Sequence, residues 1–307
     1  MVLFLLFLFV VIVLLGGAYY SYRIAFYAPK AKDSDQLPAV KGEQYDPYRP
    51  EMRRIFLQIK ERPCEFVTVT TFDGLTLSGR YYHVKDGAPL DICFHGYRSS
   101  GLRDFAGGSE LSFAMEHNLL LVDQRAHGRS QGHTITFGIK ERQDLLCWVD
   151  YAVKRFGQDV QILLYGVSMG GATVLMASEL DLPENIRGIV ADCPFSSPMD
   201  VILHVGRDHP IPKWLMKPFV ILGAKVFGGF DIMETDAYRA VKNAHVPILI
   251  IHGEADSFVP PSMSDLVLHN PYLVKRFTIP GAEHGISYLV DTPRYHQIVR
   301  EFVKSVL

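Results

Sequence analysis

The sequence predicts an α/β protein built on a mostly parallel central sheet with helices on both faces. Three observations carry that expectation. Short apolar runs alternate with helical stretches from about residue 90 to the C-terminus, the pattern of a parallel sheet covered on both sides. Two β-rich runs at 66–70 and 75–82 flank Phe72-Asp73-Gly74, and an Asp-Gly between such runs signals a hairpin. Finally, Gly166-Val167-Ser168-Met169-Gly170 follows an apolar run directly and opens a stretch rich in small residues. A serine between glycines at a strand-to-helix turn is the setting of a nucleophile elbow.

Taken in order, residues 2–22 carry no charge and 2–15 are all apolar, enough to cross a bilayer as a helix. The sequence therefore predicts a transmembrane anchor over 1–22. A cleaved signal peptide, with Gly16 and Ala18 near the cleavage site, is the competing reading. It fits less well, because no Lys or Arg precedes the apolar core and the core is long for a secretory signal. The flanking cations Arg23, Lys30 and Lys32 follow the span, which by the positive-inside tendency favours a cytoplasmic domain. Residues 23–62 read as a proline-punctuated linker ending in a short helix near 51–61.

The third unit, 63–307, holds the hairpin and then strands at 90–94, 119–123, 161–165, 186–191, 247–252 and 275–279. Helices are expected at 103–117, 139–156, 169–180, 261–268 and 293–306. Residues 193–244 break the alternation, with helical patterns at 212–227 and 235–241 and no convincing strand. An insertion after a central strand stands above the C-terminal ends of the sheet, where open α/β sheets bind ligands. It is the expected cap.

Composition narrows the function. Hydrophobic residues make up 48% of the 307-residue chain and the net charge is −2, so a large core is available and nothing points to nucleic acid. Cys64, Cys93, Cys147 and Cys193 are widely spaced and read as free thiols rather than a disulfide or metal framework.

An activated serine needs a base, and the base needs an acid to orient it. Past Ser168, Asp256 follows the 247–252 strand within His252-Gly253-Glu254-Ala255-Asp256, with Glu254 as its rival. His284, in Glu283-His284-Gly285 after the last strand, is the expected base. His95 is a weaker candidate, since it precedes the serine and has no acid suitably placed downstream. The backbone N–H groups of Tyr97, in His95-Gly96-Tyr97, and of Met169 are expected to form the oxyanion hole. Arg125 and Asp123, in the 123–130 loop, read as structural, with Asp144 a partner for Arg125.

These motifs, D-x-R-x-x-G-x-S at 123–130 among them, resemble the α/β-hydrolase superfamily over roughly 65–307. They are most similar to membrane-anchored bacterial hydrolases of the serine-aminopeptidase-like and monoacylglycerol-lipase-like branch. The resemblance implies Ser168, Asp256 and His284 as a catalytic triad, Tyr97 and Met169 as oxyanion donors, and neither metal nor organic cofactor. The expected activity is hydrolysis of a small-molecule or lipid-like acyl ester. The alternatives are a serine aminopeptidase or amidase, with Asp192, Asp200, Asp208 or Glu234 holding an amine, and a non-catalytic binding protein on the same fold. The apolar stretch 212–230 is expected to line an acyl pocket above Ser168 through Trp214 and Phe219, and to meet the bilayer.

Overall fold

A computed structural model describes residues 1–29, 42–208 and 210–307. Lys30, Lys32 and the rest of 30–41 within the expected linker lie outside them. Eight strands form one sheet: β1 (Glu65–Thr70), β2 (Thr76–Tyr82), β3 (Leu90–Phe94), β4 (Asn118–Val122), β5 (Ile162–Val167), β6 (Ile186–Asp192), β7 (Ile248–Gly253) and β8 (Val274–Ile279). Their order is β1-β2-β4-β3-β5-β6-β7-β8. The β1–β2 hairpin and the β2–β4 pair are antiparallel, and the other pairs are parallel. β3, β4 and β7 are buried along their whole length, which is why they read as continuous apolar runs rather than alternating ones.

The helices are α1 (Val2–Ser21), α2 (Arg49–Glu61), α3 (Gly101–Asp104), α4 (Ala106–Ala114), α5 (Glu141–Phe156) and α6 (Met169–Ala177), followed by α7 (Pro198–Val205), α8 (Lys213–Gly223), α9 (Ala237–Lys242), α10 (Ser287–Val290) and α11 (Thr292–Val306). Side chains alternate across each strand, so neighbouring residues feed opposite cores. Leu120 and Leu164 pack with Trp148 of α5 and with α6 and α9. On the other face, Leu163 meets α11 and Leu121 meets α2.

Two expected helices differ. The 103–117 stretch breaks at Phe105 into α3 and α4. The 261–268 stretch forms two 3-10 turns, Pro261–Ser264 and Val267–His269. There Ser264 Oγ donates to the Pro261 carbonyl, and Arg276 also donates to that carbonyl, removing an acceptor that an α-helix would use. The cap adds α7, whose first turn is closed by Ser197 Oγ accepting the Asp200 N–H, with Pro198 at the first position.

α1 continues through a π turn, Tyr22–Phe26, and together they are long and apolar enough to cross a membrane. Its far end is built into the domain rather than leading straight into a linker. The Ala28 N–H donates to the His133 carbonyl and the Ile135 N–H to the Phe26 carbonyl. Phe26 is fully buried, edge-on to Phe137 and Phe230, in the cluster that holds Met169 of α6 and Val220 of α8. Phe26→Ala should therefore cost about 3–5 kcal/mol and lower the melting temperature of detergent-solubilised protein. An unchanged melting temperature would show that residues 22–28 do not belong to the cap core.

Candidate active site

β5 ends at Val167, and Ser168 turns the chain into α6 with φ 54° and ψ −114°. A non-glycine residue pays for positive φ in strain, so the surrounding contacts must enforce it. They do so through two glycines. A Cβ on Gly166 would lie 2.2 Å from the Gly170 carbonyl oxygen, and one on Gly170 would lie 1.8 Å from the Phe94 carbonyl oxygen. The Ser168 N–H donates to the Asp192 carbonyl at 2.8 Å, which aims the hydroxyl away from the sheet edge.

The loops after β7 and β8 bring an acid and a base to this hydroxyl. His284 Nε2 lies 2.9 Å from Ser168 Oγ, and its Nδ1 lies 2.7 Å from Asp256 Oδ2. The Asp256 carboxylate also accepts the Phe258 N–H at 3.0 Å and the Val259 N–H at 2.8 Å. His252 Nε2 stands 3.2 Å from the same Oδ2 and 2.9 Å from the Val259 carbonyl. Burial alone would raise this carboxyl, but hydrogen bonds from His252 and His284 outweigh it and hold the pKa at about 2. Glu254 is turned away and accepts from Thr278 Oγ1. Sequence reasoning gave no role to Glu283, whose carboxylate accepts the Ser257 N–H and hydroxyl, both at 3.1 Å, tying the acid loop to the histidine loop.

Beyond β3, the loop with Tyr97 faces Ser168. The Gly96 N–H and the Ser99 hydroxyl both bond to Asp104. Among the described residues, neither the Tyr97 N–H nor the Met169 N–H has a hydrogen-bond partner, leaving two donors for an incoming oxyanion. Tyr97 Oη donates to the Ala25 carbonyl at 2.8 Å, and the Arg98 guanidinium donates to the Ile24 and Tyr27 carbonyls at 2.9 and 3.1 Å. The loop is thus strapped to the end of the apolar N-terminal segment, a contact no local pattern announces.

Comparisons with known proteins agree with this fold. A family model described as the alpha/beta hydrolase fold matches residues 92–232. The esterase Pf2001 of Pyrococcus furiosus superposes with a TM-score of 0.66 at 23% identity, covering 88% of this chain and 97% of that one. Est1E of Butyrivibrio proteoclasticus, solved with ferulic acid, gives 0.60 at 23% identity over 78% and 98%. The chain has the α/β-hydrolase fold. It is also 24% identical to YqkD, an uncharacterized protein of Bacillus subtilis, over 94% of this chain and 92% of YqkD.

Two buried histidines brace the loops around Tyr97. His95 Nδ1 donates to the Gly96 carbonyl, and its Nε2 accepts the Gln124 N–H. His127 Nδ1 donates to the Arg125 carbonyl, and its Nε2 accepts the Arg98 N–H. Each ring thus needs one bare nitrogen, which burial reinforces by lowering the pKa to about 4 for His95 and about 3 for His127. His95 is therefore a brace, far from the role of base. Arg125 holds Asp144 through two bonds of 2.7 and 2.6 Å and Asp73 at 3.0 Å, while Asp123 accepts the Arg129 N–H, in line with a structural role.

A cavity of about 500 Å³ opens on Ser168 and His284. Met52 and Ile55 of α2, Phe105, Leu111 of α4 and Leu289 give it an apolar wall, and Tyr45 closes it by donating to the His284 carbonyl. The expected pocket residues Trp214 and Phe219 are absent from it. Trp214 is 75% exposed, and Phe219 packs on Gly17 of α1. The cap helix is drawn to the N-terminal helix instead of to Ser168, so α2, read as a linker helix, supplies the wall. Among the described residues, Cys193, Asp256 and His284 could together offer ligand atoms to a metal, but the Asp256 and His284 atoms are already engaged with each other, Ser168 and the 258–259 backbone. All four cysteines are free.

The two neutral histidines set a pH dependence. Their folded pKa values lie below the ordinary 6.5, so between about pH 6.5 and about pH 4 the unfolded chain binds more protons than the folded one. Their contribution to stability is complete above that window and is lost as pH falls through it. The melting temperature should drop as pH is lowered from about 7 to about 5, and His127→Gln should flatten part of that slope. A flat profile in the unmodified protein would reject the neutral assignment.

Proposed function

We propose that this hydrolase is a membrane-anchored serine esterase that cleaves acyl esters through an acyl-enzyme. The observation that carries the reading is the unbroken relay from Ser168 Oγ through His284 to Asp256, at a strained elbow facing two unpartnered N–H groups. His284 Nε2 takes the Ser168 proton as the oxygen attacks the substrate carbonyl. Asp256 keeps Nδ1 protonated and stabilises the imidazolium that forms. The Tyr97 and Met169 N–H groups receive the developing oxyanion. His284 then hands its proton to the leaving alcohol, and a water deprotonated by the same ring releases the acid. The anchor is the uncharged helix α1.

An ester is favoured over a free-amine substrate by the charges around the cavity. Arg103 and Arg207 line it. Of the acids that could hold an amine, Glu234 is paired with Arg142, and Asp200 and Asp208 are exposed. Asp192 is buried beneath the cavity, and desolvation pushes its carboxyl up to about 6, which makes it a weak ammonium partner. The esterase neighbours in P. furiosus and B. proteoclasticus are further support for ester chemistry. A Ser–His–Asp relay complete in all its bonds speaks against a non-catalytic binding protein.

Fluorophosphonate labelling of the folded protein should vanish in Ser168→Ala; a fold-intact wild type that resists labelling would sink the proposal. If the three residues act as one unit, Ser168→Ala/His284→Ala should be no worse than either single variant. Asp256→Asn should lower kcat on the order of 10⁴-fold, while Glu254→Gln leaves it nearly unchanged; the opposite ranking moves the acid to Glu254.

The cavity wall makes a second prediction. With α2 and α4 as the acyl wall, kcat/KM should rise by up to about fourfold per added methylene, from about 0.8 kcal/mol of burial each, until the chain outruns the cavity. Ile55→Ser should blunt that rise, and Phe219→Ser should not. A Phe219→Ser effect larger than that of Ile55→Ser would return the acyl pocket to the cap.

A further inference from the structure

Helix α8 is the least explained part of the molecule. It takes no part in the cavity, yet several apolar side chains of α8 and of the π turn Ala224–Gly228 that continues it stay uncovered: Trp214 is 75% exposed and Leu215 39% in the helix, Val226 52% and Phe227 37% in the turn. What it does touch is α1. A Cβ on Gly17 would lie 2.6 Å from the Phe219 ring, and one on Gly223 would lie 2.5 Å from the Ala18 carbonyl oxygen. Phe227 stands edge-on to Tyr19 at 5.2 Å and near Tyr22 at 6.1 Å. Glycines at the crossing let the two backbones approach closely, as small residues do between membrane helices.

These contacts climb in step: Phe219 meets Gly17, Gly223 meets Ala18 and Tyr22, and Phe227 meets Tyr19 and Tyr22. The two helices therefore run in the same sense. Trp214 precedes Phe219 by five residues, about 7.5 Å of helix at 1.5 Å per residue. From Phe219 to Phe227 the chain advances eight residues while its contacts on the N-terminal segment advance only from Gly17 to Tyr22, so the helices cross at an angle. Stepping back to Trp214 moves about three residues along α1, to the domain-side end of its all-apolar run. Lys213 and Lys217 flank Trp214, and Lys225 lies beyond the crossing. An exposed tryptophan among lysines, beside an uncharged helix, matches the chemistry of a bilayer interface. The indole sits at headgroup level, and the lysine stems lie along apolar surface with their charges in the headgroups.

We propose that α8 is a second membrane contact, its first turns sunk into the lipid interface alongside α1, so that the domain rides on the bilayer in one fixed orientation instead of swinging on a tether. The inference rests on α1 being a bilayer anchor, as proposed above. The occupant is lipid rather than another protein, because the bilayer that takes the apolar turns of α1 lies at the same level as Trp214.

The chain has two tryptophans, and Trp148 is 1% exposed beneath the sheet. The full chain carrying Trp148→Phe, reconstituted into mixed phosphatidylcholine–phosphatidylglycerol vesicles, therefore reports on Trp214 alone. Its emission should be blue-shifted, protected severalfold from aqueous acrylamide, and quenched by lipids brominated near the headgroup end of the chain. Lys213→Glu/Lys217→Glu should weaken that lipid quenching. If Trp148→Phe fails to fold, the difference in quenching between wild type and Trp214→Phe gives the same reading. Full acrylamide access without lipid quenching, in protein that still resists alkaline extraction, overturns the proposal and leaves the anchor standing. Protection from acrylamide without lipid quenching means a protein surface covers α8, which also overturns it. Release of the whole chain by alkaline wash removes the anchor reading, and this proposal falls with it.

Discussion

Gly170 brings the first turn of α6 against the end of β3 so closely that a single added carbon would fall 1.8 Å from the Phe94 carbonyl oxygen. Ser168 stands two residues before that contact, and the Tyr97 loop begins directly after Phe94. One backbone approach therefore fixes the serine and the loop that faces it with respect to each other. Any side chain at Gly170 would push the helix off the strand and move the hydroxyl away from the Tyr97 and Met169 N–H groups. The positive φ of Ser168 is the local cost of this arrangement, and the buried, fully packed α6 is what sustains it.

Around that contact the polar groups are held by bonds that leave each only one protonation state. His95 and His127 each donate from one nitrogen and accept at the other, so a second proton would set N–H against N–H. Asp256 receives hydrogen bonds from two backbone amides and faces two histidines, so its charge is favoured despite burial. The same physical device, complementary bonds in a dry setting, keeps the braces neutral and the acid ionised along one edge of the sheet. The site is preorganised by its supports more than by its three central residues.

The apolar N-terminal segment enters this network directly. Its last turn carries the carbonyls that receive Tyr97 and Arg98, and Phe26 fills the core shared by the cap and α6. A boundary between anchor and domain at residue 22 follows the sequence pattern, whereas the packing continues through Ala28. Whatever moves the end of α1 also moves the loop beside Ser168, because the N-terminal segment and that loop share direct hydrogen bonds.

Much of this was legible in advance, and for identifiable reasons. Strands buried on both faces leave continuous apolar runs, the hairpin leaves Asp73-Gly74, and the elbow leaves Gly166 and Gly170, because each feature imposes its demand on neighbouring residues. Ser168, Asp256 and His284 were readable because each follows its own strand in the expected order. The cavity wall and the seat of the cap were not. Tyr45 reaches His284 across 239 positions, and Phe219 meets Gly17 across some two hundred. Such contacts impose no periodicity and no local composition, so an apolar cap helix reads the same whether it faces the serine or the N-terminal helix. The chain's own pattern determined the sheet, the elbow and the order of the relay. Only tertiary packing decided which apolar surfaces meet, because that choice depends on shape complementarity between segments that never see each other in the sequence.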